Sequence, residues 1–198
     1  MICAWVIQMY DGITRFLDLI LAFITAFITL PLMIFIAFTI FIFDGRPIFF
    51  LQDRVGLNKR IFKIYKFRTM IVKFDNENNF DQVTTTGRWL RRFSFDELPQ
   101  LFNILQGNMS LIGPRPMPAD INLTCSPRMW DVRHSVKPGL TGLSQIYTQG
   151  KPRLFSEKLK YDIYFVKNKT IRMYFYIIFK TFFAVMKRLQ NNKNGETL

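Results

Sequence analysis

From Leu19 to Phe43 the chain is apolar except for Thr25, Thr29 and Thr39, a run matching the ~20 residues that carry a helix across a bilayer. This is a membrane segment. A cleaved signal peptide fits poorly: the run is long, no small-residue cleavage site comes after it, and its amino-terminal flank carries Asp11 and Asp18 against Arg15 alone. Pro31 lies near its middle, where a missing N–H and a ring clash kink or break a helix. Two courses stay open from the residues alone, a kinked helix that spans and a bent one that enters and leaves on one side. Arg46, Arg54, Lys59, Arg60, Lys63, Lys66 and Arg68 crowd the carboxy-terminal flank, so the positive-inside rule places the downstream chain in the cytoplasm.

A chain of 198 residues has room for that anchor and one compact domain, so the expected division is an anchor over 1–45 and a catalytic or binding domain over 46–198. Lys and Arg outnumber Asp and Glu by 27 to 14 in a sequence that is 49% hydrophobic. Such a chain suits an anionic membrane surface or a phosphorylated substrate. A nucleic acid is disfavoured by the anchor and by the lack of any recognition motif. Cys3 and Cys125 are far apart, with no Cys/His cluster, so neither a disulfide framework nor a zinc site is legible, and the single His134 leaves little material for a triad.

Phe74 to Thr86, rich in Asn, Asp and Thr, reads as an exposed loop, and a helical region interrupted near Ser94 extends from Trp89 to Gln106. Ile171 to Leu189 is strongly apolar but carries Lys180 at its centre. It is expected to lie in the interface with its lysines snorkelling, or to pack on the domain core.

Adjacent Asp96 and Glu97, in "RRFSFDELPQLFN", stand at a helix mouth. One reading is structural: Ser94 and Glu97 have capping-box spacing, and acids suit the positive end of the macrodipole. The other is chemical, since an ionised aspartate can attack phosphorus and ligate Mg²⁺ at a place where phosphate also binds. Arg115, between Pro114 and Pro116, is a guanidinium aimed by rigid neighbours, suited to phosphate. "IFKIYKFRTM", Ile61 to Met70, reads as a half-buried strand whose Lys66 and Arg68 share a face by period two.

In order, "QDRVG" from Gln52, "IFKIYKFRTM", "SFDELPQLFN", "GNMSLIGPRP", "VKPGLTG" and "YDIYFVKN" resemble the small monotopic phosphoglycosyl transferases, the bacterial sugar transferase family. The resemblance implies an α/β, mostly helical fold with a reentrant membrane helix broken at Pro31, a small cytoplasmic catalytic domain and amphipathic interface helices. It implies a UDP-sugar donor, polyprenyl (undecaprenyl) phosphate as acceptor, UMP as product, Mg²⁺ as cofactor and the bacterial inner membrane as location. Asp96 would be nucleophile and metal ligand, Glu97 its dyad partner, and Lys66, Arg91 and Arg115 phosphate-binding residues. Asp162 would be an acid of substrate-binding or structural role. Membrane lipids are expected partners and a homodimer is open.

Three departures stand out. Leu30 replaces the usual Ser before Pro31, Asn108 replaces an Asp, and Gly142 to Arg153 lacks the Trp and Asn of the commoner pattern, though Gln145, Gly150 and Lys151 keep part of it. The rival reading is a noncatalytic membrane-surface protein that binds anionic lipid or a partner through its basic face.

Overall fold

The structure, a computed structural model, describes residues 2–71, 82–120, 125–148 and 154–193. Most of the expected Phe74–Thr86 loop, and Gly150 and Lys151, lie outside the described residues.

The apolar run belongs to α1, Ile2–Phe43, which continues as one helix through Pro31 instead of dividing there. Of this helix, Met9–Phe43 is long and apolar enough to cross a membrane. A proline removes the hydrogen bond to the carbonyl four residues back, here that of Phe27. A hydroxyl does stand beside the proline despite Leu30: Thr29 Oγ1 donates to the Thr25 carbonyl at 2.7 Å, a back-bond of the kind that bends helices.

Both halves of α1 dock on the same domain. In the first half, Ala22 is fully buried with Ile64, Leu101, Ile104 and Met109. In the second, Met33, Ile36 and Ile40 pack on Phe67 and Leu90. The opposite face stays bare, with Phe16, Phe23, Phe27, Phe35 and Phe38 exposed. Asp18, 2% exposed, is the polar pin of this contact. It accepts from Ser110 Oγ at 2.6 Å, from the Leu111 N–H at 3.1 Å and from Tyr174 Oη at 2.7 Å. A buried carboxylate without such donors would be costly.

β1 (Phe49–Val55) pairs antiparallel with β2 (Ile61–Phe67), Phe49 opposite Phe67, and on its other side with the short β4 (Met117–Pro118). β3 (Ser110–Ile112) and β5 (Gly139–Thr141) form a separate parallel pair. The helices α2 (Thr85–Phe93), α3 (Gln100–Leu105), α4 (Pro127–Arg133), α5 (Leu143–Thr148) and α6 (Phe155–Asn168) surround these strands. α7 (Ile171–Lys193) closes the chain's described part. Of the two expectations for the last apolar stretch, packing on the domain core holds for one of its faces. Tyr174 and Ile177 are buried against Ile112, Leu143 and Phe165, while Phe175, Phe179, Phe182 and Phe183 are exposed. One small antiparallel and one small parallel sheet among helices agree with the expected α/β, mostly helical class.

Candidate functional site

Asp96 is placed by a break in the helix. α2 begins at Thr84, whose hydroxyl accepts from the Gly87 N–H at 2.8 Å, and ends at Ser94 in the left-handed conformation (φ 58°). A 3₁₀ turn, Phe95–Glu97, comes next, and α3 starts after Pro99. The interruption near Ser94 thus falls where the sequence suggests. The capping-box reading does not hold: Ser94 makes no side-chain cap on this turn, and Glu97 reaches elsewhere. Pro99 sits at the N-cap of α3, where no helical hydrogen bond is lost.

Asn103 brings this turn against β2. β2 is an edge strand, and fully buried Asn103 covers its free side. Its Oδ1 accepts from the Tyr65 N–H at 3.0 Å and its Nδ2 donates to the Lys63 carbonyl at 2.8 Å. Edge groups left bare under a helix would cost the desolvation penalty of unsatisfied amides, so this amide fixes α3 in register with Lys66.

As a result Glu97 Oε1 accepts from Lys66 Nζ at 2.8 Å and from Arg115 Nη2 at 2.6 Å. Lys66 and Glu97 side chains are 17% and 19% exposed, Arg115 50%. Period two leads the two strand cations apart in use. Lys66 turns to Glu97, whereas buried Arg68, one residue beyond β2, donates to the carbonyls of Asp44, Gly45 and Arg46 and ties the end of α1 to the domain. Arg91 donates from Nε to Thr69 Oγ1 at 2.8 Å, and its charge acts on Asp96.

The two carboxyls differ in electrostatic state. Burial, then the neighbouring Glu97 charge, raises the pKa of Asp96, and Lys66 and Arg91 offset this only in part. Burial would raise Glu97 as well, but the charges and hydrogen bonds of Arg115 and Lys66 outweigh it and hold Glu97 below the usual range. Among the described residues Asp96 has no salt-bridge partner, and no cluster of three acidic, His or Cys side chains suited to a metal is present. The protein therefore offers one uncommitted carboxylate here. That matches Mg²⁺, which takes one or two carboxylates and completes its shell with water and substrate phosphate.

The turn bearing Arg115 is held from behind. Arg54 Nη1 donates to the Pro116 carbonyl at 2.9 Å, and Arg133 Nη2 to the Arg115 carbonyl at 2.5 Å. Gly113 and Gly139 pass so closely that a Cβ on Gly139 would lie 2.0 Å from the Gly113 nitrogen. Arg133 is itself buried and donates from Nε to Asp162 Oδ2 at 2.9 Å. Asp162 is 3% exposed and reaches the Arg115 turn through Arg133. Arg133 Nη1 also meets His134 Nε2 at 3.1 Å. A guanidinium only donates, so Nε2 accepts and Nδ1–H donates to the Trp130 carbonyl at 2.8 Å. Burial, reinforced by Arg133, pushes the His134 pKa down to about 4, which leaves this histidine neutral and structural.

Asp96, Glu97, Lys66, Arg91 and Arg115 thus converge. Sequence reasoning did not single out Arg54, which joins Lys66, Gln100 and Arg115 around a recess of about 10 Å³ and keeps a buried, unpartnered Nε. Its signals were membership of the "QDRVG" block and of the basic flank after the apolar run. Asn103 was marked only as the last residue of "SFDELPQLFN", and Arg133 and the role of Asp18 had no local signal, because each acts on a partner distant in sequence.

The profile of the family described as bacterial sugar transferase matches residues 9–188. The chain is 44% identical over 129 residues to the "Uncharacterized sugar transferase EpsL" of Bacillus subtilis, covering 63% of this chain and 62% of that protein. It is 35% identical over 188 residues to a UDP-N-acetylgalactosamine-undecaprenyl-phosphate N-acetylgalactosaminephosphotransferase of Aeromonas hydrophila, covering 89% of this chain and 44% of the relative. A third relative, the undecaprenyl-phosphate galactose phosphotransferase of Salmonella typhimurium, is 33% identical over 198 residues, with 88% and 40% covered. The chain therefore spans less than two thirds of the length of these relatives. With a family match from before Pro31 to beyond the middle of α7, and the acids and cations of its motifs gathered at one helix mouth, the chain belongs to the bacterial sugar transferase family.

Proposed function

We propose that the chain transfers a sugar 1-phosphate from a UDP-sugar to a polyprenyl phosphate, undecaprenyl phosphate by analogy with the names of its relatives, at the cytoplasmic face of a bacterial inner membrane. The observation that carries this reading is the split dyad. Glu97 is neutralised by two cations, and Asp96 is an uncommitted carboxylate beside them.

A carboxylate oxygen of Asp96 attacks the β-phosphorus of the donor. A P–O bond to that phosphorus forms as the bond to the bridging oxygen breaks, and UMP leaves with the electron pair. Lys66, Arg91 and Arg115 face the phosphate oxygens on which charge builds, and Glu97 keeps Lys66 and Arg115 in place. Bound Mg²⁺, held by Asp96 and the donor phosphates, would supply further charge neutralisation. The terminal phosphate oxygen of the acceptor then attacks the same phosphorus and releases the Asp96 carboxylate. The recess behind Arg115 has room for about one water, so the donor binds over it, and half-exposed Arg115 is the side chain free to adjust.

The reentrant topology is supported by the docking of both halves of α1 on one domain. Asp18 and Ile40 are about 33 Å apart along a straight helix, comparable to the hydrocarbon thickness. A domain that touches both cannot lie wholly to one side of a straight span.

The test is UMP release by the purified chain across a panel of UDP-sugars, with and without Mg²⁺, joined to intact-protein mass spectrometry with donor alone. The expected result is one added sugar phosphate on wild type and none on Asp96→Asn, with turnover lost. Near-wild-type turnover by Asp96→Asn would sink the mechanism.

A further inference from the structure

Away from the dyad, a cavity of about 390 Å³ opens between the Tyr10–Asp18 stretch of α1, the loop before β5 and the start of α7. It shares no lining residue with the recess at Arg115. The two lie towards opposite ends of α3: Asp96 and Glu97 precede its first turn, whereas Arg15, on the cavity wall, donates to the last carbonyls, those of Ile104 at 2.7 Å and Leu105 at 3.3 Å.

The charges in the cavity are unevenly committed. Asp18 is satisfied by its three donors, and Asp11 pairs with Lys169. Among the described residues the Lys137 ammonium has neither an ion-pair nor a hydrogen-bond partner. It stands beside another cation: a point one Cβ from Gly107 is 3.4 Å from Arg15 Nη2 and 3.9 Å from Lys137 Nζ. The two heads are therefore within about 7 Å of each other, a span one phosphate group bridges. Burial, then the Arg15 charge, lowers the pKa of Lys137, with Asp18 and Asp11 acting the other way. On the remaining wall apolar Leu57, Ile112 and Phe165 stand among hydroxyl side chains, Thr14, Ser110 and Ser135 included.

We propose that this cavity is a second phosphate site, which takes the headgroup of an anionic phospholipid, its phosphate between Arg15 and Lys137 and its glycerol along the mixed wall of hydroxyl and apolar side chains. The source is the membrane because the cavity is walled by the helix whose exposed face is apolar. This assignment rests on the membrane reading of α1 and not on the chemistry at Asp96. It makes the lipid a structural ligand that fastens the Tyr10–Asp18 stretch of α1 to the domain.

Two variants test it in the full chain. Lys137→Gln removes the free cation. Gly12→Leu fills the cavity from α1, where a Cβ on Gly12 meets nothing within 4 Å, and glycine is already the poorer residue for a helix. The chain in neutral detergent is titrated with short-chain phosphatidylglycerol, short-chain phosphatidylcholine and inorganic phosphate, with thermal shift and native mass spectrometry as readouts. Phosphatidylglycerol should bind wild type saturably and raise its Tm, and phosphatidylcholine should bind more weakly. Lys137→Gln should weaken phosphatidylglycerol about tenfold, the loss of one charge-assisted contact, and Gly12→Leu should abolish it. UMP release by both variants should stay within about twofold of wild type, since neither residue touches the dyad. Lipid binding unchanged in both variants, equal binding of the two lipids, or a response to inorganic phosphate alone would overturn the assignment. Absence of UMP release from wild type would count against the transferase reading and leave the lipid titration intact.

Discussion

Glu97 Oε1 accepts from two cations at once, so the negative charge still available at the helix mouth belongs to Asp96. That division sets a pH dependence. The pKa of Asp96 is raised, so its reactive carboxylate is lost as pH falls through a value above that of an ordinary aspartate, while Glu97, held low, stays ionised. Lys66 is among the groups that oppose the rise. Lys66→Met should therefore move the acid limb of the pH profile for donor-only UMP release to higher pH, whatever it does to the maximal rate. A limb that does not move would mean that another group titrates. Removing the exposed half of the clamp by Arg115→Ala should lower UMP release by about 10- to 100-fold, because a positioned donor to the transferring phosphate is lost. Activity within twofold of wild type would remove Arg115 from the site. These residues were legible as candidates from type and spacing. Which carboxyl is neutralised was not, because Lys66 and Arg115 lie 31 and 18 residues from Glu97.

Between the elements, side chains with no chemical role fix the site. Asn103 registers α3 on the edge of β2, and the Arg133–Asp162 pair joins α4 to α6 behind the Arg115 turn. Both partners of that pair are almost fully buried, so removing one charge strands the other. Asp162→Asn should destabilise the chain by about 3 kcal/mol, read as a fall in midpoint on denaturant unfolding in detergent. Replacing both, by Arg133→Met with Asp162→Leu, should cost less than the single change. A single variant as stable as wild type would show that the pair does not hold α4 on α6. Element types were well indicated by pattern: the break at Ser94 and the strand at "IFKIYKF" are both present. Pro31 is the exception. α1 runs through it because packing on both sides holds the helix, a tertiary effect that overrides a local propensity.

Across the whole molecule, the bare aromatic faces of α1 and α7 and the docking of α1 at both ends lead to one topological expectation, that residues before and after the apolar segment face the same compartment. A cysteine at Gln8, in a background free of Cys3 and Cys125, should resist an impermeant thiol reagent in intact cells and react once the cytoplasm is opened. Labelling from outside in an active protein would show a span. The run from Leu19 to Phe43, the excess of basic residues after it and the ordered motifs determined by themselves that the chain has one long apolar segment, an α/β, mostly helical fold and the motifs of the bacterial sugar transferase family, since hydropathy, charge and motif order are properties of the chain taken in line. Only the tertiary structure decided that Asp18 is a buried pin, that Asp162 supports Arg133, that Arg54 backs the Arg115 turn, and that the pKa of Asp96 is pushed up while that of Glu97 is held down. Each of these depends on desolvation and on a partner far along the chain, and neither can be read from a residue and its neighbours.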